Sequence, residues 1–157
     1  MQPEHWDQVK TIYEQGIATG NATFQTSAPS WSEWNESHLI KGRLVAFDNN
    51  EIIGWAALTP VSGRCVYAGV AEVSVYVNEK SRGKGIGAKL LSELVTTSEV
   101  DGFWTLQAGV LRENISSVKM HEACGFQIVG VREKLGQLKG VWRDVVLLER
   151  RSSVVGV

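Results

Sequence analysis

The run Arg82-Gly83-Lys84-Gly85-Ile86-Gly87-Ala88 holds the densest set of chemically capable residues in the chain. Glycines at three of seven positions let the backbone approach a ligand closely and turn several N–H groups one way. A helix opening within the run adds about half a positive charge at its N-terminus, and Arg82 and Lys84 add two more. Together they make a cradle for a phosphate or pyrophosphate; the plainer reading is a tight strand-to-helix turn with no ligand. The P-loop pattern fails twice, with Asn78 where its first glycine should stand and Gly85 where Ser or Thr should follow the lysine. The dinucleotide pattern fits Gly83, Gly85 and Ala88. However, Asn78 to Arg82 separate those glycines from the preceding strand, and Glu113 lies too far along to serve a ribose.

Two further side chains could move protons. Glu72 stands inside Ala71-Glu72-Val73-Ser74-Val75-Tyr76-Val77. Alternation by two puts Glu72, Ser74 and Tyr76 on one face, and Ala71, Val73, Val75 and Val77 on the other. A carboxylate among such neighbours is costly without a task or a partner. Partial burial would raise its pKa and suit it to act as a base near neutrality; the alternative is a strand glutamate paired with Arg64 or facing solvent. His121 has the side chain whose ordinary pKa suits proton exchange, or it is simply a histidine on the half-buried face of a helix. Cys65 and Cys124 are far apart, and with three His they form no metal-ligand spacing. No metal is expected.

These residues need elements to position them. Val9, Ile12, Tyr13 and Ile17 form one helical face between Glu4 and Gly20. Ser30 and Glu33 make a capping box for a second helix from Trp31 to about Ile40. Arg43–Phe47 and Glu51–Leu58, joined by Asp48-Asn49-Asn50, read as a hairpin. Val66–Val77 reads as one long strand. After the glycine turn, Ile86, Leu90, Leu91, Leu94 and Val95 mark a helix. Thr105–Leu111 is a strand, and Asn114–Cys124 a helix stopped by Gly125. Phe126–Lys134 and Val141–Glu149 are strands. The order predicts an α+β fold, a single mixed and mostly antiparallel twisted sheet with helices on both faces.

At 157 residues and 17.3 kDa the chain suits one domain, 1–150, with 151–157 a frayed tail. Sixteen basic against seventeen acidic residues leave no broad positive field, so no nucleic-acid partner is expected. Without an apolar leader or spanning segment the reading is a cytoplasmic protein with no membrane contact.

Arg82-x-x-Gly85-x-Gly87 also fits R/Q-x-x-G-x-G/A, and with it the chain resembles the Gcn5-related N-acetyltransferase superfamily over nearly its whole length. It is similar in particular to the branch of phosphinothricin and methionine sulfoximine acetyltransferases. The supporting segments are Phe24-Gln-Thr26, Trp31-Ser-Glu-Trp34, Arg64-x-x-Tyr67, Ala71 to Val77, Asn114-x-x-Ser117, Met120 to Phe126 and Gly140-Val-Trp142-Arg-Asp144. The superfamily's first short edge strand has no clear counterpart before the first helix; it is expected to be very short or to lie upstream of Met1.

The resemblance implies the acyl-CoA N-acyltransferase fold and acetyl-CoA as co-substrate. The pyrophosphate would sit on Gly83 to Ala88. Val75, Tyr76 and Val77 would lend backbone groups to the pantetheine arm, and Asn114 and Ser117 would stand beside it, Asn114 also being a good N-cap. Glu72 aligns with a family glutamate assigned as base, and His121 is a second candidate. Arg64, with Cys65, Val66 and Tyr67, would form the acceptor wall and clamp a carboxylate. Phe24, Thr26 and Trp31 would cap it, although Trp31 reads equally well as a core anchor. The implied activity is acetylation of the primary amine of a small amino-acid-like acceptor by a homodimer. Two alternatives stay open: acetylation of a protein N-terminus, lysine or polyamine, and a non-catalytic acetyl-CoA-binding module.

Overall fold

The computed structural model describes residues 1–157. A 3-10 turn at Pro3–His5 leads into α1 (Trp6–Ala18), which buries Trp6, Val9, Ile12 and Gly16. The capping box forms as the sequence predicts: Glu33 N–H donates to Ser30 Oγ at 3.3 Å, and Ser30 N–H to the Glu33 carboxylate at 2.8 Å. It opens α2 (Trp31–Ser37), which stops three residues short of Ile40. His38 is already extended, with its Nδ1 2.8 Å from Trp34 O. Arg43 donates to the carbonyls of Asn35, His38 and Leu39. Side chains there satisfy the backbone that another helical turn would have used.

The hairpin is β1 (Leu44–Asp48) and β2 (Glu51–Pro60). The expected long strand from Val66 is corrected by the structure: β3 runs only over Val70–Val77, and Cys65–Tyr67 form a 3-10 turn. That turn closes its own bonds, Tyr67 N–H to Arg64 O and Ala68 N–H to Cys65 O. Gly69 then packs flat on Trp104, leaving no room for a side chain, and its carbonyl accepts from Trp104 and Thr105 N–H. The remaining elements are α3 (Ile86–Val100), β4 (Thr105–Leu111), α4 (Ile115–Ala123), β5 (Gln127–Leu138) and β6 (Val141–Arg151). Gly125, at φ 87°, ends α4 in the left-handed region as expected.

The strands form one six-stranded sheet in the order β1-β2-β3-β4-β6-β5. Every pair is antiparallel except β3 with β4. On one face Leu90, Leu91, Leu94 and Val95 of α3 pack on Ala56, Leu58, Val73 and Leu106, with Val118 and Met120 of α4 beside them. On the other, α1 and α2 bury Val9, Ile12 and Trp34 against Trp55 and Ala57. This is the α+β arrangement the sequence predicts. No helix is long and apolar enough to cross a membrane.

Beyond Arg150, where fraying was expected, the chain is tied down. Ser152 is buried and its hydroxyl donates to Glu99, while the Arg151 guanidinium donates to the carbonyls of Val155 and Gly156. The site depends on two irregularities. The parallel pairing of β3 and β4 covers only Val70–Glu72 against Thr105–Gln107, after which the strands separate. In β5 the register against β6 slips between Arg132 and Gly136.

Candidate active site

Because β4 leaves β3 after Glu72, residues Val73 to Val77 have a strand partner on the β2 side only. Alternate backbone groups of that stretch therefore face an opening instead of a neighbour. Two cavities meet there. One, of about 640 Å³, lies between the glycine turn, the start of α4 and the end of β3. Val75, Tyr76, Val77, Arg82, Gly83, Gly85, Ile86, Gly87, Ala88, Asn114 and Ser117 all line it; Lys84 is exposed beside it. The other, of about 480 Å³, lies across the gap, lined by Phe24, Glu72, Gln107, His121 and Arg132 among others. Val75, Tyr76, Asn114 and Ser117 border both.

The first cavity fits a phosphate-bearing chain. Gly83 and Gly85 have φ of 74° and 78°, and a Cβ on either would meet nothing within 4 Å, so backbone conformation and not crowding selects glycine. Gly85 is the N-cap of α3, whose first N–H groups lack helical partners. Gly87 is small for another reason: a Cβ would stand 2.8 Å from Met120 Sδ. Arg82 is steered by a 3.3 Å bond from Nε to Val77 O. Asn114 caps α4 by accepting from Ser117 N–H, and its Nδ2 donates to Asn21 O at 3.2 Å.

In the second cavity Glu72 is half-buried, and its partner is Gln107, whose Nε2 donates to Oε2 at 2.8 Å, not Arg64. His121 is buried, with Nδ1 2.7 Å from Ser117 O. A carbonyl can only accept, so Nδ1 carries the proton and Nε2 holds the free lone pair. Burial lowers the imidazole pKa from its ordinary value and favours the neutral ring. The Tyr76 ring belongs to the aromatic core, stacked 4.8 Å from Trp55 and admitted by the missing side chain of Gly16; burial raises its phenol pKa.

Several expected acceptor residues stand outside both cavities. Arg64, Cys65, Val66 and Tyr67 lie on the exposed 3-10 turn, where the Arg64 guanidinium sits 5.7 Å from the centre of the Tyr67 ring. Trp31 packs between Trp6 and Trp34 in the aromatic core. Thr26 is exposed, in a separate pocket with Glu14 and Lys139. Two residues the sequence reading passed over, Gln107 and Arg132, line the second cavity. Gln107 was open to detection, as the polar alternate between Leu106 and Ala108. Arg132 was not, because the slip in β5 breaks the alternation that would have shown its face.

A six-stranded sheet opened between its two parallel strands, with a glycine-rich helix start at the opening, defines an acyl-CoA N-acyltransferase. The profile of the Acetyltransferase (GNAT) family matches residues 6–126. The L-methionine sulfoximine/L-methionine sulfone acetyltransferase of Pseudomonas aeruginosa is 34% identical, covering 90% of this chain and 86% of its own. A GNAT superfamily phosphinothricin acetyltransferase from Sinorhizobium meliloti, solved in complex with acetyl-CoA, superposes with a TM-score of 0.84 at 31% identity, covering 94% of this chain and 83% of its own. A ribosomal-protein-alanine N-acetyltransferase from Brucella melitensis superposes at 0.89 with 25% identity, covering 97% of each chain. The chain belongs to the GNAT acetyltransferase family. It is an N-acetyltransferase with acetyl-CoA as its co-substrate.

Proposed function

We propose that the enzyme acetylates the α-amine of a small amino acid of the phosphinothricin or methionine sulfoximine type. The observation that carries this reading is the walled cavity of about 480 Å³ across the strand gap from the cradle. It has the volume of a small-molecule site and shares Val75, Tyr76, Asn114 and Ser117 with the donor groove. The names of the two relatives near one-third identity support the same acceptor class.

In this reading the cradle residues Arg82 to Ala88 hold the pyrophosphate, and Val75 to Val77 hold the pantetheine arm with their free backbone groups. Asn114 and Ser117 stand where the two substrates meet. The acceptor's ammonium gives one proton to Glu72, whose Oε1 is left clear by the bond from Gln107 to Oε2. The freed amine nitrogen then bonds the acetyl carbon as the carbon–sulfur bond breaks, and the second proton that the nitrogen sheds in becoming an amide goes to the departing sulfur. The N–H of Val75, in the opened strand, stabilises the charge developing on the acetyl oxygen. His121, neutral with a free Nε2, is the second proton acceptor within the same cavity. Self-association as a homodimer belongs to this reading and is read by sedimentation at micromolar concentration.

The test is release of free CoA thiol against a panel of amines. Phosphinothricin and methionine sulfoximine should be acetylated far faster than spermidine or a peptide beginning with alanine. The second reading, favoured by the likeness to the Brucella enzyme, expects the peptide to be the better acceptor. Turnover of the peptide alone overturns the amino-acid proposal.

A further inference from the structure

Resting on the amino-acid reading, we infer that Arg132, on the slipped segment of β5, is the side chain that binds the carboxylate of the acceptor. It is the one Lys or Arg lining the acceptor cavity, and Glu72 is the one acid. A cavity with a single carboxylate and a single guanidinium complements a zwitterion: the amine goes to Glu72 and the carboxylate to Arg132.

Arg132 is also unspent. Of the eight arginines in the sequence, Arg43, Arg82, Arg112, Arg143, Arg150 and Arg151 donate side-chain hydrogen bonds within the chain. Arg64 lies over the Tyr67 ring. Arg132 alone has no hydrogen bond, ion pair or ring. Its neighbours are built to aim it. In a regular strand Arg132 and Leu135, three positions apart, would point to opposite faces. Here both line the cavity, because the register slips between Arg132 and Gly136 and Lys134 takes φ 48°. Asp144 fixes that bulge by accepting from Lys134 N–H at 2.9 Å, and Arg112 holds Asp144 at 3.1 Å. Gly136 lets the Phe24 ring close against the same segment, where a Cβ would lie 3.0 Å from it.

The test compares kcat/KM for methionine sulfoximine and for its primary carboxamide in the parent enzyme and in Arg132→Gln, Arg132→Lys and Arg64→Ala. Each variant is referred to the parent on the same compound, which cancels the difference in amine pKa between acid and amide. Arg132→Gln should lose roughly 10- to 100-fold on the free acid, the worth of a hydrogen bond to a charged group, and less than about threefold on the amide. Arg132→Lys should recover part of the loss, since an ammonium keeps the charge without the planar fork. Equal losses on acid and amide in Arg132→Gln overturn the assignment, as does an acid-selective loss in Arg64→Ala in its place. Failure of the amino-acid reading itself looks different: the parent enzyme then turns over neither compound.

Discussion

Glu72 and His121 share a cavity but reach it from different environments, so their variants should fail differently. Glu72 has one oxygen engaged by Gln107 and one free. Glu72→Gln keeps the shape and removes the proton acceptor, and should lower kcat by about 10²- to 10⁴-fold with the acetyl-CoA dissociation constant nearly unchanged. Steady-state rates and a binding titration check this; the deficit should narrow at high pH, where more amine is already free. Normal turnover in the variant at pH 7 would hand the role to His121 or to water. His121 leaves a signature in stability as well. Its folded-state pKa is depressed by burial, as is that of His38. The unfolded chain therefore takes up a proton near the ordinary value of 6.5 that the folded chain does not. The stability these rings contribute is present above pH 6.5 and lost as pH falls below it. Urea midpoints should decline between pH 7 and pH 5, and His121→Gln should flatten part of that decline. An identical slope in the variant would mean that the burial of His121 is not felt on titration. The carboxylates with depressed pKa, Glu33, Glu99, Glu113 and Asp144, act lower, below their ordinary values near 4.

The acceptor wall is a loop held by strands, and Arg143 is its fastening. From β6 it donates to Gly20 O at 2.9 Å and to Asn21 Oδ1 at 2.7 Å, and it pairs with Glu113 just before α4. Its side chain is only 12% exposed, so these bonds are shielded from water more than those of a surface pair. Arg143→Met should cost about 1.5–3 kcal/mol, or roughly 3–12 °C in Tm for a chain of this size. It should also raise the acceptor KM as the Ala22–Gln25 wall loosens. An unchanged melt and KM would show that the loop holds itself through its own Thr19 and Thr23 turns. The motif containing Arg143 was legible as Gly140 to Asp144, whereas its purpose was not, because its loop partners Gly20 and Asn21 lie more than a hundred residues away in sequence. Local chemistry read well for the same reason in reverse. The Ser30 box, the helix start within the glycine run and the stop at Gly125 each depend on a few adjacent residues. Trp31 was ambiguous because an aromatic at a helix start serves a lid or a core equally, and only the nearness of Trp6 and Trp34 decides. The position of Arg64 was not legible for a geometric reason: the 3-10 turn and Gly69 detach it from the strand it would have extended.

At the scale of the molecule, α3 does two jobs with one set of hydrogen bonds. Its flank carries Leu90, Leu91, Leu94 and Val95 into the larger core, and its N-terminus, capped by Gly85, is the cradle to which the proposed function assigns the pyrophosphate. Ligand at the cradle should therefore register in global unfolding. At a concentration of about 100 times Kd, acetyl-CoA contributes about 2.7 kcal/mol by mass action, roughly 5–11 °C in Tm. NADH and ATP should give much smaller shifts at equal concentration. Gly85→Asp separates the two jobs. The site has open space around it, and aspartate tolerates the left-handed region better than most residues. The unliganded Tm should fall by only a few degrees, while a carboxylate at the helix start repels the pyrophosphate and removes most of the acetyl-CoA shift. If Gly85→Asp melts like the parent without ligand and still gains the full shift with it, the phosphates bind elsewhere. If the unliganded protein collapses, Gly85→Asn gives the cleaner comparison: it adopts the left-handed conformation about as readily as aspartate and has the same shape without the charge, so any further loss of the shift in Gly85→Asp is electrostatic.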